Sequence, residues 1–140
     1  MATGHPEDTT EEVEFVETED GTRRRLAFVD RFPEAASTVR ICLGIAFAAF
    51  GIGALFGVIQ ALHRTNVLRV VSSSDYYTLL TGHGVLMALV FTTFGIAGLF
   101  HWANTRSLGV APTSTRLTNG WLWTMTIGTL LAAGTILSGL

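Results

Sequence analysis

One histidine in this chain stands where an ionisable side chain is costly. His83 lies in Tyr76–Phe100, a run of 25 residues without a charge, six residues beyond Tyr77 and so ~9 Å along a helix from it. An ionisable group inside so long an apolar segment is a functional candidate by default, because its desolvation has to be compensated. Gly82 and Gly84 flank it, so no neighbouring β-carbon crowds the ring and a flat macrocycle has room to approach. Neutral imidazole is a standard axial ligand of heme iron. The other ring nitrogen then needs an acceptor to fix the tautomer, and the carbonyl of Leu79, one turn back, is a candidate. A histidine hydrogen-bonded to a neighbouring helix has the same spacing, and spacing alone does not choose between the two.

The other three histidines do not complete such a site. His63 follows the first apolar run, at an interface depth that does not match that of His83. His101 is 18 residues further along the same segment, ~27 Å as helix, too far to share a metal. His5 lies in a charged tail. All three are expected to be ordinary surface or interface residues. A second axial ligand must come from another helix or another copy. Cys42 is the single cysteine, which excludes an intramolecular disulfide and a cysteine-only cluster.

The elements that must position His83 follow from the charge distribution. Of 140 residues 49% are hydrophobic and 14% charged, against about 25% charged in an ordinary soluble domain. Fifteen of the 20 charges lie in residues 1–40; only Arg64, Arg69, Asp75, Arg106 and Arg116 come after. The pattern excludes a soluble globular domain. Ile41–Leu62, Tyr76–Phe100 and Leu117–Leu140 are uncharged runs of 22, 25 and 24 residues, each long enough as helix to cross a bilayer. The fold class is therefore all-α integral membrane. Three transmembrane helices, at about 41–62, 77–102 and 119–140, follow a disordered acidic cytoplasmic tail over 1–39. Eight acids in the first 20 residues keep that tail from folding alone. A cleavable signal peptide does not fit, since the first apolar run starts only at Ile41. No nucleic-acid partner is expected, because Arg23-Arg24-Arg25 follows an acidic run. All nine basic residues are arginine, a bias shared by salt-adapted proteins and GC-rich genomes.

Five arginines precede the first run, two follow it and two follow the second, which places the N-terminus inside. Tyr76 and Tyr77 then mark the outer interface, Trp102, Trp121 and Trp123 the inner one, and the second helix runs inward. Gly53 and Gly57 have the small-xxx-small spacing that lets helices approach closely, and Gln60 reads as an interfacial or interhelical hydrogen-bonding group. The chain stops at Leu140 with no polar flank, as expected of a truncated membrane protein.

The segment YYTLLTGHGVLMALVFT, Tyr76–Thr92, resembles the second transmembrane helix of subunit I in B-type heme-copper terminal oxidases, close to YY-x-x-L-T-x-H-G-V-L-x-A-x-V-F-T. LFGVIQAL, Leu55–Leu62, is similar to that family's L-F-G-x-x-Q-A-L one loop upstream. The resemblance covers about residues 40–140. It implies that His83 is one axial ligand of a low-spin heme, b-type, near the outer face, with Gly82 and Gly84 giving the heme clearance. It also implies that the copper and a high-spin heme belong to the complete subunit, whose further ligands lie beyond the third helix. The implied partners are the remaining helices of subunit I, a subunit II with a copper electron-entry site, a cytochrome or small copper protein as donor, and the lipid bilayer of the plasma membrane. The complete enzyme would reduce oxygen to water and move protons; these 140 residues would be inactive alone. Alternative readings are a nitric-oxide reductase on the same scaffold and a small non-catalytic membrane anchor.

Overall fold

The computed structural model describes residues 15–17, 23–25, 27–66 and 71–138. His5, Arg69, most of the acidic tail and the last two residues lie outside it. Two three-residue strands, β1 (Phe15–Glu17) and β2 (Arg23–Arg25), pair antiparallel with Phe15 opposite Arg25 and Glu17 opposite Arg23. The remainder is helical. α1 (Phe28–Arg31) is one turn, and α2 (Pro33–Arg64) and α3 (Ser73–Leu108) are long helices. α4 (Thr115–Ser138) follows.

Each long helix extends beyond its uncharged core. α2 starts eight residues before Ile41, at Pro33. Pro33 occupies the first turn, where its missing N–H costs no hydrogen bond. Ala35, Ala36 and Val39, beyond it, are buried. α3 starts at a serine N-cap. Ser72 Oγ accepts from the Asp75 N–H at 3.2 Å and donates to the Asp75 carboxylate at 2.7 Å. It ends at Gly109, whose φ of 65° is the left-handed conformation of a helix C-cap, with its N–H on the Thr105 carbonyl. α3 and α4 start at Ser73 and Thr115, ahead of their apolar runs, because capping and not hydropathy sets a helix end.

α2 and α3 form an antiparallel pair. Seven of the nine buried positions of α2, Ala35, Val39, Cys42, Ala46, Ala49, Gly53 and Gln60, follow steps of four and three and then one of seven, a pattern that repeats every seven residues; Ala36 and Thr38 widen it at the start of the helix. This is the 3.5-residue period of a left-handed helix pair, and the residues are small enough for close approach. On α3 the buried residues Gly82, Val90, Phe94 and Gly98 are spaced by multiples of four, and Thr105 follows seven residues on. Each four-residue step in an α-helix overshoots a full turn by about 40°. Val85–Phe91 absorbs that drift by widening into π-type turns, which take more residues per turn. Thr92 closes the segment by donating its hydroxyl to the Ala88 carbonyl.

α2 and α3 are each long and apolar enough to cross a membrane, and most of their large apolar side chains point outward: Phe47 and Phe100 are about two-thirds exposed. A soluble protein would bury those residues. α4 forms over the range expected for the third span; among the described residues the helices long and apolar enough to cross a membrane are α2 and α3.

Candidate functional site

His83 is half-buried on the face of α3 that meets α2. Its Nδ1 lies 2.7 Å from the Gly53 carbonyl oxygen. A carbonyl can only accept, so Nδ1 carries the proton and Nε2 keeps a lone pair. Among the described residues the hydrogen bond of the His83 ring is the one at Nδ1. The expected acceptor, Leu79, is therefore corrected to Gly53. The Leu79 carbonyl instead accepts from Gln60 Nε2 at 3.1 Å, across the same helix pair.

Gly57 completes the cradle. A β-carbon there would stand 3.0 Å from Cε1 and 3.3 Å from Nδ1 of His83, so the ring lies against bare backbone. A β-carbon on Gly53 would meet Met87 Sδ at 2.9 Å. The helices can approach this closely only because 53 and 57 carry no side chain.

The two glycines beside His83 have different surroundings. A β-carbon on Gly82 would come within 3.0 Å of the Phe56 ring, so Gly82 is where that ring seats. Gly82 also lines a cavity of about 440 Å³ between α2, α3 and α4, with Phe56, Leu86, Val90, Met125 and Ala132. A β-carbon on Gly84 would meet nothing within 4 Å, which leaves open space beside His83.

The other histidines are apart from this cradle. The His63 ring packs on Tyr76 with centroids 5.4 Å apart, and Arg64 Nε donates to the Tyr76 hydroxyl at 2.7 Å. Tyr76 is seven residues from His83, two turns or ~10 Å of helix, so His63 and His83 sit at different depths. His101 lies near the far end of α3, lining a smaller cavity with Glu34, Thr38, Thr115 and Asn119. There the Thr115 hydroxyl donates to the Glu34 carboxylate at 2.6 Å, tying α4 to α2. Among the described residues no group of three or more His, Cys, Asp or Glu is placed to hold a metal ion.

The sequence singled out Gly53 and Gly57 for close helix approach and Gln60 for an interfacial or interhelical hydrogen bond, but not that the two glycines hold the imidazole. Their spacing held the signal: 53, 57 and 60 fall on one face of α2, and two of the three lack a side chain.

The fold is a hairpin of two helices long and apolar enough to cross a membrane, with His83 in its seam. The comparisons agree with that class. Residues 37–140 match the family described as Cytochrome C and Quinol oxidase polypeptide I, and the chain belongs to that family, the heme-copper oxidase subunit I proteins. A relative named cytochrome c oxidase subunit 1, from Thermus thermophilus, is 34% identical over 113 residues, covering 74% of this chain and 19% of the relative. The chain thus spans about a fifth of that relative's length. No solved structure matches it. The family is one of oxidoreductases.

Proposed function

We propose that this chain forms the opening helices of the catalytic subunit of a B-type terminal oxidase, and that His83 provides one axial ligand of its low-spin heme. The observation that carries this reading is the bond from Nδ1 to the Gly53 carbonyl, which fixes the tautomer whose Nε2 lone pair can bind iron. The wording of both helix motifs supports the B-type assignment, and the relative's printed name supports the oxidase.

A heme bound there, b-type in this reading, supplies a reversible one-electron iron centre. The chain's own residues perform the rest. Gly53 holds the Nδ1 proton, Gly57 lets the ring lie flat on α2, and Gly84 leaves clearance on the exposed side of the turn. Gly82 seats Phe56 and so brings α3 onto α2. The copper and the high-spin heme fall to the rest of subunit I, and electrons arrive through a subunit II copper site from a cytochrome or small copper protein. In this reading α4 is the third span, the N-terminus is cytoplasmic and the membrane is the plasma membrane. The arginine counts and the placement of Tyr76 and Trp102 at opposite ends of α3 support that orientation.

The test is the reduced-minus-oxidised spectrum of the assembled oxidase carrying His83→Ala. Loss of the low-spin heme band is expected, and an unchanged band sinks the assignment.

A further inference from the structure

Gln60 is a primary amide in a stripe otherwise built of small apolar residues. It is only 8% exposed, on a helix long and apolar enough to cross a membrane. Burying an amide in such surroundings is costly unless its N–H finds an acceptor. The acceptor it finds is specific. The Leu79 carbonyl, four residues before His83, is the one that an α-helix pairs with the His83 backbone N–H. Gln60 therefore grips the turn of α3 that carries the imidazole.

The Gly53 bond alone would leave that turn free to pivot, because a single hydrogen bond fixes a distance and not an orientation. Gln60 lies seven residues beyond Gly53 on the same face of α2, and Leu79 four residues before His83 on α3. The two bonds therefore cross the helix pair at two heights. Together they set how far α3 slides along α2 and how it is rotated.

We infer that Gln60 is a positioning residue for His83, fixing the depth and the plane of the imidazole presented to iron. This rests on the reading of His83 as a heme ligand. Gln60 touches neither the ring nor the space beside Gly84; it acts through the Leu79 carbonyl.

The test uses the assembled oxidase carrying Gln60→Leu, which keeps the bulk and loses the donor, and Gln60→Asn, which stays polar but is one methylene too short. A third variant, Gln60→Glu, can donate through a protonated carboxyl. The readouts are the ferric low-spin electron paramagnetic resonance signal and the low-spin midpoint potential, both sensitive to the orientation of the axial imidazole. Gln60→Leu and Gln60→Asn are expected to keep the low-spin heme but to shift and broaden its signal and move its potential; Gln60→Glu is expected to restore both toward the parent. Signals and potentials identical to the parent in Leu and Asn overturn the inference. So does a Leu variant that fails to assemble beside an Asn variant with parental spectra, which would make Gln60 a packing requirement only. If His83→Ala keeps its low-spin band, the ligand reading fails instead, so the two failures are distinguishable.

Discussion

Toward the Trp102 end, α2 and α3 meet through Cys42, Ala46, Phe94 and Gly98; toward the Tyr76 end they meet through Gly53, Gly57, Gln60 and His83. Both halves depend on small residues, but for different purposes. In the first half the missing side chains are replaced by apolar atoms. Cys42 and Phe94 are 0% and 1% exposed, and a β-carbon on Gly98 would stand 3.1 Å from that of Cys42. In the second half they are replaced by polar contacts to backbone carbonyls, at Gly53 and Leu79. The first half sets the separation of the helices. The second uses that separation to hold an imidazole with one nitrogen bonded and the other available.

Filling the polar half should have the larger functional effect. Gly57→Val places branched carbons where His83 Cε1 now lies, 3.0 Å from the nearest position a β-carbon can take. The ring must leave the Gly53 carbonyl. Low-spin heme content of the assembled oxidase, measured as absorbance per protein, should fall to near zero. Retention of the parental content would show that the cradle does not fix the ring.

Filling the apolar half should cost stability first. Gly98→Leu pushes against Cys42 and Leu43, whose side-chain atoms lie 3.1–3.3 Å from a β-carbon there. Overpacking of this kind costs about 1–3 kcal/mol. The thermal midpoint of the purified oxidase should drop while the low-spin signal of the surviving fraction keeps its shape. A changed signal at full stability would mean that the halves are not separable in this way.

The contrast also shows how much was legible in the sequence. The long uncharged runs gave the helices, since a charge-free stretch of more than 20 residues has few other stable forms. His83 was legible because an ionisable group in such a run is expensive. Its partner was not. The reading chose Leu79, the nearest carbonyl within the same helix, whereas the acceptor comes from Gly53, 30 residues away. Only the register of two helices could reveal that. The π-type turns at Val85–Phe91 were equally hidden, because they answer a mismatch between two periods and not a residue preference. The Ser72 N-cap was also written in the sequence, and it starts α3 ahead of the apolar run.

A smaller effect is expected within the closed half. Cys42→Ala removes one buried sulfur and should cost about 1 kcal/mol, the scale of a small core truncation. The native thiol, with no exposed surface, should resist a maleimide in the folded oxidase and react after denaturation in SDS. Rapid labelling of the folded protein would show that the closed half opens.

The smallest effect should come from α4, whose polar groups differ from those of the seam. The hydroxyls of Thr124, Thr126 and Thr129 donate to the carbonyls of Gly120, Leu122 and Met125, within their own helix. They join nothing across a helix pair, so removing them should not move His83. Threonine hydroxyls bonded in this way still lower hydropathy, and valine keeps their shape without the polar atom. Replacing all three by valine should leave the low-spin signal unchanged and shift stability by no more than about 0.5 kcal/mol per residue, as for substitutions outside a packed network. Membrane insertion of α4, scored by glycosylation of flanking acceptor sites, should become more efficient, because each change removes a polar group from the candidate span. If the heme signal moves with these substitutions, the polar groups of α4 also act on the imidazole, and the division between a helix that carries its own hydrogen bonds and a seam that shares them fails.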